Sequence, residues 1–319
     1  MSISGFGSCA LTSCVAVAML AGCGGSRPAI VASAGPSSAI VGKDQSLLYV
    51  SDPKAGDVYM IALPSRRLVG KLTGFHYAMG DCSDQHGNVF VDNDAESQVR
   101  AYAHGAQSAF RVLNDASWSP NACSVDPTTG NLAVCNIRTS QTAGSIAVYF
   151  NARGAAHYYD YSGAANFWYC TYDGDGNLFA NAISYGGGAG SNIFLELPKG
   201  HGKLRPLSLR PAITGDASSP LFWDGKHLAV ASTSSGAIYQ YKISGNTGTR
   251  VAVVRLDDTR AVLGPFWITS NGNAQTLYAP IDEDGIERVG IYRYPAGGKR
   301  LQNLYDAPLP FAAAVSMPK

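Results

Sequence analysis

Six short apolar segments recur along the chain at a nearly fixed interval, and that recurrence restricts the fold more than any other feature. They are Leu48-Tyr49-Val50, Val89-Phe90-Val91, Leu132-Ala133-Val134, Leu178-Phe179-Ala180, Leu228-Ala229-Val230 and Leu277-Tyr278-Ala279, with first residues 41, 43, 46, 50 and 49 positions apart. Most follow a run rich in Asp, Gly and Asn: DQHGN at 84–88, DPTTGN at 126–131, DGDGN at 173–177, DGKH at 224–227 and SNGNAQ at 270–275. Such residues take left-handed backbone angles and cap their own amides, as a tight hairpin requires. The stretch Asn121–Asn136 shows the core of the unit: a strand, a turn over Pro127–Gly130, and a second strand. A third strand follows each time, with related endings such as GSIAVYFNARG (144–154) and GAIYQYKISG (236–245). A weaker fourth comes after it, such as Lys203–Leu209 or Thr249–Leu256.

A four-stranded unit repeating every 40–50 residues or so cannot bury both faces of its own sheet, so the units must stack around an axis. The expectation is all-β: a six-bladed β-propeller with four-stranded antiparallel blades. Its ends support a closed ring. The first unit begins at its second strand, Gln45–Val50, whereas Pro310–Pro318 reads as an innermost strand with nothing after it. The C-terminal strand is therefore expected to complete blade one, which removes the free sheet edges and favours a monomer. No apolar pattern of helical period persists over three turns. Lys and Arg number 24 against 23 Asp and Glu, so no basic field for nucleic acid exists.

The N-terminus reads as a targeting segment. Cys9–Ala21 is small and apolar, too short to span a bilayer and suited to a signal-peptide core. It ends in Leu20-Ala21-Gly22-Cys23, which resembles the bacterial lipobox. That resemblance implies a lipoprotein signal peptide over 1–22, lipidation of Cys23, a flexible tether over 23–38 and a single propeller domain over 39–319. The protein would then be extracytoplasmic and lipid-anchored to the bacterial cell envelope, at the periplasm or the cell surface. An ordinary secretory signal or an uncleaved anchor is the alternative.

The unit CSVDPTTGNLAV…GSIAVY is similar to NHL-type propeller repeats, in which a hydrophobic-Ala-Val-Asp segment precedes Gly-Asn and a further strand. Residues from about Ser38 to Lys319 look like the lipoprotein propellers of this kind found in bacteria. The resemblance speaks for fold and is nearly silent on activity, because its Asp, Gly and Asn are turn chemistry.

Propellers commonly bind at the channel mouth, beside the start of each innermost strand. The polar residues placed there are Asp81 and Asn121. Of the four tryptophans, Trp118 and Trp168 precede their strands and, with Tyr169, are candidates to stack on a sugar or a partner's side chain. Trp223 and Trp267 lie within apolar alternation and are expected in the core. Six-bladed lactonases of the gluconolactonase family hold a divalent metal at this mouth with a Glu and several Asn or Asp residues. No such set can be assembled here, so no metal site and no cofactor are assigned. Asp173–Asn177 resembles part of a calcium loop, but Ser184 stands where the EF-hand Glu would be, so a hairpin turn is expected. The six His show no metal-binding spacing, and no Gly-x-Ser-x-Gly elbow exists.

Four cysteines fall within the repeats. Cys82, Cys123 and Cys170 occupy one repeat position, so strand alternation points all three the same way and none at another. If Asp126 pairs with Asn131, then Cys123 lies opposite Val134 and Cys135 opposite Ala122. Cys135 would then meet Cys82 or Cys170 of a neighbouring blade, or Cys123 if the hairpin bulges. The alternative is four buried thiols acting as small apolar residues. With no catalytic constellation, the sequence reads as a membrane-tethered binding or scaffold module for a protein or glycan. A metal-dependent hydrolase, lactonase or lyase is the runner-up.

Overall fold

The computed structural model describes residues 44–116, 119–137, 143–185, 192–257, 259–304 and 307–318. Cys23, Trp118, the targeting segment and the tether lie outside them. Six sheets form the six blades of a propeller; the innermost strand comes first in the chain in blades two, three and four, an outer strand precedes it in blade five, and blade one takes its innermost strand from the C-terminus. Blade one runs outward from Ala312–Ser316 through Leu47–Asp52, Asp57–Ala62 and Arg67–Leu72. The closing pairs are antiparallel, from Leu47 opposite Ser316 to Ser51 opposite Ala312. Ring closure by the last strand is thus as expected.

The apolar segments form second strands because both of their faces are covered. Leu47–Asp52 and Val89–Asn93 are buried at every position, whereas the outermost Arg67–Leu72 is half exposed. Alternation sends successive side chains to opposite neighbours. Leu47 and Tyr49 pack into the layer between blades one and two, while Leu48 and Val50 pack into the layer between blades six and one. The hydrophobic core is six such layers, one per blade interface.

Two strands depart from the expected pattern. Lys203–Leu209 does not serve one blade. Arg205–Pro206 pairs as the edge of blade four, and Ser208–Arg210 lies parallel to the outer strand of blade five. Pro206 has no amide to extend a ladder, and Leu207 and Leu209 both turn into the layer between blades four and five. The innermost strands of blades two, three and four each carry a bulge near the channel, at Ala78/Asp81, Pro120/Ala122 and Phe167/Tyr169. Gly80, inside the first bulge, is required sterically: a Cβ there would stand 2.5 Å from the Ala122 Cα.

Candidate functional site

The central channel opens into a cavity of about 1000 Å³ where the innermost strands end and turn. Every blade contributes, through Met317, Ser83, Ser124, Tyr172, Trp223 and Thr269 in ring order. One wall, from blades five and six, is aromatic. Trp223 is stacked on Phe179 with centroids 6.2 Å apart, and Phe222 lies 5.1 Å from Trp267 and 5.9 Å from Phe266. The opposite wall is made of the hairpin turns of blades two, three and four.

Those turns carry three aspartates whose oxygens are already engaged. Asp84 accepts from the amides of His86 and Asn88 and from Asn88 Nδ2. Asp126 accepts from the Thr128 amide and hydroxyl and from the Thr129 hydroxyl. Asp173 accepts from the amides of Asp175 and Asn177 and from Asn177 Nδ2. The repeated Asp is therefore a turn device, as its spacing predicts, and Asp173–Asn177 is a hairpin turn. Arg111 is held by the Ala152 carbonyl at 3.0 Å and the Phe110 ring, while Arg153 stands exposed at the rim.

Two aromatic side chains cross the channel. Trp267 packs against the layer between blades six and one and also against the layer between blades two and three. Phe311, at the start of the closing strand, reaches the layer between blades four and five.

Beyond the recess lies a buried polar cluster. Asp81, Asp92, Asp115, Asn121 and Asn136 are at most 2% exposed. Both oxygens of Asp81 and of Asp92, Oδ2 of Asp115 and Oδ1 of both asparagines have no hydrogen-bond partner. Burial pushes Asp81 well above the usual carboxylate range, and it does the same to Asp92, with Asp115, Asp81 and Asp94 adding repulsion. Asp115 is pushed up by burial to about 6, against hydrogen bonds from Tyr158 and Asn136. Among the described residues, no group of three or more His, Cys, Asp or Glu is placed to hold a metal ion.

The sequence-predicted residues divide between these regions. Asp81 and Tyr169 border the cavity; Asn121 and Trp168 do not. The large recess lies at the ends of the innermost strands, not at their starts where the sequence reading placed the mouth. Trp223 and Trp267, expected in the core, are half-buried and line it. The blade-five inner strand is only Leu221–Trp223, too short for alternation to assign a face. Trp168 instead turns its Nε1 into the interior without a partner, and its carbonyl accepts from Asn121 Nδ2 at 2.7 Å.

The cysteine pairing also differs from the expectation. Cys82 is bonded to Cys123, with Cα atoms 5.7 Å apart, and Cys135 and Cys170 are free. Innermost strands of neighbouring blades converge on the axis, so equal positions come within disulfide range. The bulge ahead of each cysteine re-aims its side chain. The hairpin register is as predicted, with Ala122 opposite Cys135 and Cys123 opposite Val134. Cys135 therefore faces blade four, where it shares a layer with Cys170. Burial and this neighbour push its thiol well above the usual range.

No protein-family model matches the sequence, and no curated protein matches it significantly. Solved structures do share the architecture. A chain of a nidogen/laminin complex is similar with a TM-score of 0.65 at 12% identity, over 86% of this chain and 99% of that one. A protein of unknown function from Bacteroides caccae gives 0.63 at 13%, with the same two coverages. A functionally unknown protein from Desulfotomaculum acetoxidans gives 0.58 at 10%, again over 86% and 99%. These likenesses establish the six-bladed fold.

Proposed function

We propose that this protein is a binding module of the cell envelope, an NHL-like lipoprotein propeller tethered through lipidated Cys23, whose ligand seats in the recess at the channel mouth. The observation that carries this reading is the recess itself: about 1000 Å³, fed by all six blades, with an aromatic wall facing a polar one. Concave sites of this size with a few convergent polar groups are where proteins hold ligands. A flat ligand face stacks on Trp223 and Trp267, while hydroxyls or amides meet the turns. That suits a glycan or a partner's peptide segment. Among the described residues, the turn aspartates are taken up by main-chain amides and by neighbouring hydroxyl and amide side chains. Nidogen, seen in complex with laminin, supplies the analogy of such a ring engaged with a protein partner.

The test is glycan-array and envelope-protein capture with the purified chain, using Trp223→Ala as control. A ligand retained by the native chain and lost by the variant supports the reading. Turnover of a lactone or ester that disappears in Asp81→Asn would overturn it in favour of a hydrolase. For the anchor, Cys23→Ala is expected to move the protein from the membrane to the soluble fraction; unchanged fractionation removes the lipoprotein assignment.

A further inference from the structure

The cluster between blades two and three poses a problem of its own. Asp92 sits on the second strand of blade two, and Asp115 on the connector from blade two to blade three. Asn136 stands on the second strand of blade three. All three are completely buried. Asp115 is the strongest charged neighbour of Asp92, and Asn136 hydrogen-bonds to Asp115. Yet both Asp92 oxygens, one Asp115 oxygen and the Asn136 Oδ1 have no partner. The Asp92 Oδ2 and the main-chain oxygen of Asn121 also lie on the same side of Gly80, packed so closely that a Cβ on that glycine would stand 2.8 and 2.6 Å from them.

Buried polar atoms in native proteins are almost always satisfied. Here the unsatisfied atoms are acceptors, and among the described residues no basic side chain is paired with either carboxylate. Tyr158 donates to Asp115 at 3.0 Å, but Tyr149 donates to the Asn114 carbonyl at 3.1 Å. A water brings donors and acceptors in equal number and leaves two buried charges uncompensated. A divalent cation offsets both charges and engages several oxygens together. An all-oxygen set of two carboxylates, an amide and a main-chain carbonyl selects a hard ion that tolerates irregular geometry, which is calcium in preference to magnesium or zinc.

We infer that Asp92, Asp115 and Asn136 form a structural calcium-class cation site that ties blade two to blade three. With two carboxylates and not three, it is a modest-affinity site completed by the Asn121 carbonyl and water. None of these three side chains lines the recess, and the site does not depend on what the recess binds.

The experiment uses the full chain after chelation and exchange into metal-free buffer at neutral pH. Calcium chloride is expected to raise the unfolding temperature saturably, with magnesium weaker. Terbium, as a calcium surrogate, is expected to luminesce on tyrosine excitation, because Tyr149 and Tyr158 adjoin Asp115. Asp92→Asn should weaken both responses at least tenfold, and Asn136→Ala, which keeps both charges, should weaken them less. Asp175→Asn, in an exposed turn, should leave them unchanged. The inference is overturned if calcium shifts nothing, or if the shift and the luminescence survive Asp92→Asn and Asn136→Ala. A rise in unfolding temperature for Asp92→Asn without calcium response would show that the carboxyls simply hold protons.

Discussion

Asn121 donates through Nδ2 to the main-chain carbonyl of Trp168 at 2.7 Å, and each residue is one that a bulge near the channel leaves out of its strand's ladder. The bulge of blade four orphans a carbonyl, and the bulge of blade three supplies the amide that satisfies it. Truncation to Asn121→Ala leaves that buried carbonyl unpartnered, a cost of about 1–3 kcal/mol. Urea unfolding should show this loss, while Asn273→Ala, at an exposed position, should be near neutral. Equal effects of the two would mean that the inter-blade bond contributes nothing.

The Cys82–Cys123 bond closes a loop over 41 positions and joins the innermost strands of blades two and three. On a chain-entropy basis a loop of that length is worth about 4 kcal/mol. Reduction, or Cys82→Ser with Cys123→Ser, should lower the unfolding free energy by roughly that amount. Peptide mapping after alkylation in denaturant should find Cys82 and Cys123 linked and Cys135 and Cys170 labelled. A linked Cys135 would refute the assignment.

Much of this architecture was legible because it depends on patterns repeated six times. Leu48, Val89 and Leu132 mark equivalent strands, and the turn aspartates mark the hairpins between them. The hairpin register around Cys135 followed from one turn length. What a single strand's pattern does not contain is the convergence of neighbouring strands on the axis. That convergence joins Cys82 to Cys123, and it also lets Trp267 of blade six touch blades two and three. The position of the recess was missed for a related reason. A three-residue strand such as Leu221–Trp223 has no period, so Trp223 could not be assigned to a face. The buried Asp92 and Asp115 were invisible because burial of a carboxylate is a property of two blades together.

Asp81 makes a pH prediction whose sign is fixed by its burial. Its proton is held more tightly in the folded chain than in the unfolded one. Its contribution to stability is therefore complete below the ordinary carboxyl range, near pH 4, and is lost as pH rises through the raised folded value. Asp81→Asn removes that loss. In chelator, the variant should exceed the native chain by about 1–3 kcal/mol at pH 8, with the gain disappearing towards pH 3–4 or so. A gain that is constant with pH would show that Asp81 does not titrate in the folded protein as its burial requires.

Trp267 offers a separate handle on the recess, because it contributes to two layers on different sides of the channel. Trp267→Ala withdraws an aromatic side chain from both, at a cost of about 3–5 kcal/mol if the channel fails to collapse around the gap. The loss should be smaller where water fills the space, since the indole is only half-buried. Trp267→Phe keeps an apolar ring on the channel floor and should recover most of the stability. Trp223→Ala removes a ring that is stacked on Phe179 at one layer only, so it should cost less than Trp267→Ala in the same unfolding measurement. Reversal of that order would mean that Trp267 does not bridge the channel. The fold would then be held at this end by the Trp223–Phe179 stack, and the recess would be open along the axis.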